Sequence, residues 1–166
     1  MNGPADLQFG GPGNEDDLFV GEVDGDTVAR ITPNGTVSTF ATGVNYPDGL
    51  AFDTVGNLYV LNRGTNEILR VGPTGGVATV FVSGLPGLPL GITFDSNGNL
   101  LVGDFDGGTI AQVTPGGVMT NIGSGFMSPE HLRFEPDGVN LFISDFSANT
   151  IYKATPITVV APGGQP

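Results

Sequence analysis

A chain of 166 residues with 39% hydrophobic content can form one domain that buries roughly 70% of the surface its unfolded form exposes, so disorder is not expected. Gly 28 and Pro 13 recur at fixed offsets rather than in a block, which implies many turns. Lys+Arg 5 against Asp+Glu 17 gives a net charge of -12, which argues against nucleic acid and membrane surfaces as partners, and Cys 0 excludes disulfides and thiolate metal sites.

No apolar run reaches the ~18 residues that a bilayer span needs. The N-terminal "MNGPADL" has neither a positive region nor an apolar stretch, so no signal peptide is expected in this chain. What the chain does contain is one unit written four times. Its copies open at Pro4, Pro47, Pro89 and Pro129, about 40 to 43 residues apart.

In chain order, the first copy departs most from the rest. Where the others have a tight hairpin it carries the acidic "GGPGNEDD", Gly10 to Asp17, which reads as a solvated loop. Strands "TVARI" and "VSTF" follow, separated by the turn "TPNGT". In the second copy Leu50 and Phe52 alternate with small or polar neighbours. "DTVGN" then closes a hairpin into "LYVL", and "EILRV", "GPTGG" and "ATVFV" complete the unit. The third copy repeats this with Ile92 and Phe94, "DSNGN", "LLV", "TIAQV", "TPGG" and "MTNI". The fourth has Leu132 and Phe134, "EPDGVN", "LFI" and "TIYKA", then runs "TPIT" straight into "ITVV".

The alternation has period two, the runs are rich in β-formers and they are too short for helices. Glycine in each hairpin takes φ > 0 and closes it. Each copy is therefore an antiparallel four-stranded meander. One such sheet cannot hide both faces from water, so the copies must stack face to face. The predicted fold class is all-β, a β-propeller of four antiparallel four-stranded blades, either a complete small ring or part of a larger propeller. Residues 1–161 form the propeller, with blades about 4–43, 47–84, 89–125 and 129–161, and residues 162–166 form a linker-like tail. Phe52, Phe94 and Phe134 are expected at equivalent packed sites between blades.

In such an architecture the first strand of each blade lines the channel, starting at the face of the P-x-G turns, and the second strand returns to that face. An inner rim then contains Ala5, Asp6, Asp48, Leu90, Glu130 and His131, and an outer rim contains Glu22, Asn62, Asp104 and Asp145. Like charges gathered there raise one another's pKa or recruit a cation. A divalent cation (Ca2+, Mg2+ or Mn2+) held by Asp48, Glu130, His131 and Asp6 is one expectation.

A structural reading stands beside it. A polar residue at a strand end, as at Asn62, Asp104 and Asp145, commonly folds onto turn amides. Asp48 and Glu130 have no repeated structural task, because Leu90 occupies the same position. His131, the single histidine, stands where the other turns have glycine, either as a rim residue bonded to its neighbours or as half of an Asp6–His131 acid–base pair across a closed seam. The five cations, Arg30, Arg63, Arg70, Arg133 and Lys153, are too scattered to form an anion site. No G-x-S-x-G elbow is present.

The string P-x-G-[LI]-x-F-D-x-x-G-N-L-x-V resembles the NHL repeat, and is similar to the blades of SMP-30/gluconolactonase-like and streptogramin-lyase-like propellers. The resemblance runs from Pro4 to Ala161 and is strongest in the second and third copies. It implies a scaffold that binds a small-molecule or protein ligand through its acidic channel face. The alternative it implies is a divalent-metal-dependent hydrolase or lyase. Pro47-Asp48-Gly49 resembles a metal-ligating turn of the gluconolactonase-like hydrolases, whose Pro-Asn-Gly is missing here. The middle residues of the four turns are Ala5, Asp48, Leu90 and Glu130, so the acid–base histidine of the streptogramin lyases is missing too. The resemblance further implies an extracytoplasmic, secreted bacterial origin. Exposed terminal sheets predict self-association or pairing with further blades.

Overall fold

Short alternating runs punctuated by glycine yield sixteen strands and no helix among residues 1–154, which the computed structural model describes. The first blade is β1 (Pro4–Phe9), β2 (Leu18–Glu22), β3 (Thr27–Ile31) and β4 (Val37–Thr42). The second is β5 (Pro47–Phe52), β6 (Leu58–Asn62), β7 (Glu67–Val71) and β9 (Thr79–Ser83), with β8 (Gly76–Val77) as a short offshoot. The third is β10 (Pro89–Phe94), β11 (Leu100–Asp104), β12 (Thr109–Val113) and β13 (Met119–Ser124). β14 (Pro129–Phe134), β15 (Leu141–Asp145) and β16 (Thr150–Ala154) make up the fourth. The expected last strand "ITVV" and the tail lie outside the described residues.

The first three blades are the expected four-stranded antiparallel meanders, with one addition, and the fourth shows three antiparallel strands among the described residues. The turn after β7 sends β8 across to the first blade, where it pairs in parallel with β4 and widens that sheet to five strands. A parallel pair of two residues leaves no periodic trace in a sequence. It follows from Gly75 and Gly76, both at positive φ, which let the backbone lie against Phe40.

Two bulges recur and set the geometry. The first strand slips register after its opening proline, between Pro47 and Leu50 and between Pro89 and Ile92, so the middle residue of P-x-G leaves the ladder. The fourth strand slips opposite Val28/Ala29, Ile68/Leu69 and Ile110/Ala111, at Phe40, Phe81 and Ile122. Each of these three side chains packs into the apolar space between its own blade and the next.

Three such inter-blade cores exist among the described residues. Phe19, Val28, Leu50 and Leu58 fill the first, Leu61, Ile68, Ile92 and Leu100 the second, and Leu101, Ile110, Leu132 and Ile143 the third. Where inner strands meet, glycine is required by space. A Cβ on Gly49 would lie 2.6 Å from the Leu90 carbonyl oxygen, and one on Gly91 would lie 2.3 Å from that of Glu130. Asp6 and His131 hold that position in the first and fourth blades. No comparable core joins the fourth blade to the first among the described residues. Leu7 and Phe9 of β1 and Ile151 of β16 are exposed, and the inner strands β14 and β1 touch through an Arg133 Nη1–H donated to Gln8 Oε1 at 2.9 Å.

The three phenylalanines take the equivalent packed sites expected of them, but not at full depth. Phe52, Phe94 and Phe134 pack against their cores but are only half-buried, because they end their strands at the rim opposite the P-x-G turns. Phe19 is the fully buried ring, with Phe40 and Phe52 edge-on to it at 4.7 and 4.9 Å. Phe19→Ala should therefore cost about 3–5 kcal/mol and Phe94→Ala nearer about 2 kcal/mol in denaturant titrations. Equal losses would contradict this assignment of the core.

Candidate functional site

The bulge after each opening proline frees a side chain from the sheet and turns it toward the channel. In the second blade that side chain is Asp48, whose Oδ2 lies 3.2 Å from the Arg63 guanidinium. Arg63 follows Asn62 at the end of β6 and stacks over the Tyr46 ring, 4.7 Å from its centroid. Tyr46 itself sits at φ 53, rare for an aromatic residue. Its backbone N–H donates to Asp26 Oδ1 at 2.9 Å, a contact between the first and second blades that holds the strained turn in place. Asp48, Arg63 and Tyr46 thus form one unit at the channel mouth. From sequence Arg63 is one of five scattered cations, and its place beside Asn62 at a strand end is the signal that marks it.

Burial pushes the Asp48 carboxyl above its usual range. The Arg63 guanidinium opposes the shift, Asp6 reinforces it, His131 opposes it and Glu130 reinforces it. Asp6, His131 and Glu130 each therefore lie within electrostatic reach of Asp48. They do not form a bonded cluster. Asp6 accepts from the Leu50 backbone N–H at 2.9 Å and from the Leu7 N–H at 2.8 Å, which ties the first inner strand to the second. The expected Asp6–His131 pair is not made among the described hydrogen bonds. His131 is exposed, and its backbone N–H donates to Ser144 Oγ. Glu130 is half-buried beside an open depression of about 420 Å³ that Ser144, Phe146 and Ile151 also line. Leu90 is half-buried and Ala5 exposed on the same rim.

The outer rim is structural. Asn62 Oδ1 accepts from the Asn45 N–H, and its amide donates to Thr65 Oγ1 at 2.6 Å. Asp104 accepts from Leu88 and Gly107, and Asp145 from Met127, Ser128 and Ala148. Glu22 does the same work for the Asn2 N–H and the Thr27 hydroxyl. Each residue clips the loop that enters its own blade to the end of the second strand. Burial pushes Asp145 up, but the three backbone donors together hold it below the usual carboxylate range.

A divalent cation needs several free oxygen ligands. The oxygens of Asp6 are engaged by amides, Asp48 faces a guanidinium, and no three His, Asp or Glu side chains among the described residues converge as a metal set. Among the described residues these side chains are not assembled as a ligand set for such an ion.

Comparison with solved structures comes to the same architecture. A streptogramin B lyase superposes with a TM-score of 0.76 at 19% identity, covering 93% of this chain and 52% of that one. A gluconolactonase from Xanthomonas campestris gives 0.73 at 22% identity, over 87% of this chain and 55% of that one. The calcium-binding protein regucalcin from Agrobacterium tumefaciens gives 0.71 at 19% identity, over 85% and 52%. The likeness is one of fold: a β-propeller. The chain spans about half the length of these proteins. No protein-family model matches it, and no curated protein sequence does.

The raised Asp48 carboxyl has a testable sign. A folded-state value above the unfolded one means that the native protein binds the extra proton, so stability falls as pH rises through the raised value and recovers below it. Asp48→Asn should melt at or above the wild-type temperature at neutral pH. The difference should shrink as pH falls through the raised value toward the ordinary 3.8. A variant less stable at neutral pH, with a gap that closes only below 3.8, would show that Arg63 dominates instead.

Proposed function

We propose that this chain is a non-enzymatic propeller scaffold that receives a basic segment of a protein partner, or a small basic ligand, on its acidic channel face. The observation that carries the reading is the desolvated Asp48 carboxylate, held at the channel mouth with Asp6 and Glu130 around it and, among the described residues, only Arg63 paired to it. An incoming guanidinium or ammonium would relieve that repulsion, and the net charge of -12 would draw it in. Tyr46, exposed and already stacked with one guanidinium, offers a flat surface for a second contact.

The hydrolase or lyase alternative finds less support. Acid–base chemistry needs a group positioned over substrate, and the single histidine is exposed, with its described bond made by the backbone. Hexa-arginine and hexa-glutamate peptides test the preferred reading by calorimetry. Hexa-arginine should bind with an affinity that drops steeply with salt, and hexa-glutamate should give no saturable heat. The Asp48→Asn, Glu130→Gln double variant should weaken the basic peptide at least about tenfold. Equal binding by wild type and double variant would place the contact elsewhere and end the proposal.

A further inference from the structure

The face opposite the P-x-G turns carries the loops that follow the first strand of each blade. It contains an internal comparison, because the same aromatic arrangement occurs twice with different surroundings. Between the first and second blades, Phe19 is flanked edge-on by Phe40 and Phe52. Between the second and third, Tyr59 is flanked in the same way by Phe81 at 5.1 Å and Phe94 at 5.2 Å, both rings nearly perpendicular to it.

The first arrangement is sealed. The loop Gly10–Asp17 folds over it, with Gly11 so close to Phe52 that an added Cβ would lie 3.0 Å from the Phe52 Cβ. Asn14 reaches on to the Pro73 carbonyl, and Phe19 is 0% exposed. In the second blade the corresponding turn, Asp53 to Asn57, is short and tied down on itself. Asp53 accepts from the Val55 and Asn57 N–H groups and from the Asn57 amide. The second arrangement consequently opens into a cavity of about 430 Å³, a volume in the range of small-molecule sites. The third seam has Leu101 in place of the ring and a cavity of only about 90 Å³.

Two features separate the open cavity from an underpacked seam. Tyr59, only 8% exposed, lines the cavity and puts a hydroxyl where the sealed copy has a plain phenyl. Asp53 and Asp95 stand on the rim, each taking three hydrogen bonds from neutral donors and neither meeting a cation within ion-pair distance among the described residues. A carboxylate has about four acceptor positions, so three hydrogen bonds leave each with one free site. Arg70, opposite Tyr59 on β7, brings one positive charge against these two negative ones.

We propose that the cleft between the second and third blades binds a small organic cation, an alkylated ammonium, with Tyr59, Phe81 and Phe94 as its aromatic walls and Asp53 and Asp95 as its charged rim. Three rings around one space, two of them perpendicular to the third, suit a cation with apolar surface better than a hydrated metal ion. The site lies at the opposite end of the sheets from Asp48, so it stands independently of the channel face.

NMR titration of the intact chain with choline tests the proposal, with 3,3-dimethylbutan-1-ol as the uncharged molecule of the same shape. Choline should give saturable shifts at Tyr59, Phe81 and Phe94 and none at the sealed Phe19, and the uncharged analogue should bind at least about fivefold more weakly. Ser96→Trp, a change at an exposed rim position, fills the cleft without touching the core and should abolish the shifts. Tyr59→Phe keeps the ring that the first blade already tolerates and should weaken binding. Non-saturating shifts, equal binding of the uncharged analogue, shifts centred on Asp48 and Arg63, or unchanged binding by Ser96→Trp would each overturn the assignment.

Discussion

A four-stranded sheet with apolar side chains on both faces is stable only where each face is covered, and this requirement governs the molecule. It explains why the repeat is a blade rather than an independent domain, and why apolar burial gathers in three seams between blades rather than in one centre. It also explains the glycines. Gly49 and Gly91 stand where one inner strand rests against the carbonyl groups of the next, and a methyl group there would force the blades apart. At the same position the first blade has Asp6, which bonds to the Leu50 amide, and the fourth has His131, which is exposed.

The same packing decides which polar groups are free to do chemistry. Loops that enter a blade must be fixed to its second strand, and Glu22, Asn62, Asp104 and Asp145 supply the acceptors that fix them. Those side chains are committed before any ligand arrives. The residues released by the first-strand bulge carry no such duty, which is why Asp48 can be partly desolvated and still point into the channel. Loop length controls the opposite face in the same manner: a long loop seals one aromatic seam and a short one leaves its neighbour open.

The architecture was legible because period-two alternation and glycine turns are written at every copy, and the second and third copies repeat almost residue for residue. The latching role of Asn62, Asp104 and Asp145 was legible for a related reason, since a polar side chain at a strand end has turn amides within reach. Other features depend on contacts between distant segments and leave no local pattern. The parallel pairing of β8 is one, and the folding of Gly10–Asp17 over Phe52 is another; that loop read as solvated because its acidic residues stood out, yet Asp17 is buried with Arg30 bonded to its carboxylate at 2.6 Å. Arg63 was missed at the channel mouth because a lone arginine has no spacing to read. The half-burial of Phe94 shows the limit of repeat logic, which fixes equivalence between copies but not depth.

The central claim is that covering of both sheet faces by neighbouring blades holds the structure together. Native-state hydrogen exchange, followed amide by amide on a dilute sample, measures this most directly. The second and third blades are covered on both faces, so amides of β6, β7, β11 and β12 should exchange only through global unfolding, whereas those of β1 and β16 should open at much lower free energy. Uniform protection across all four blades, or slowest exchange in β1 or β16, would contradict the account.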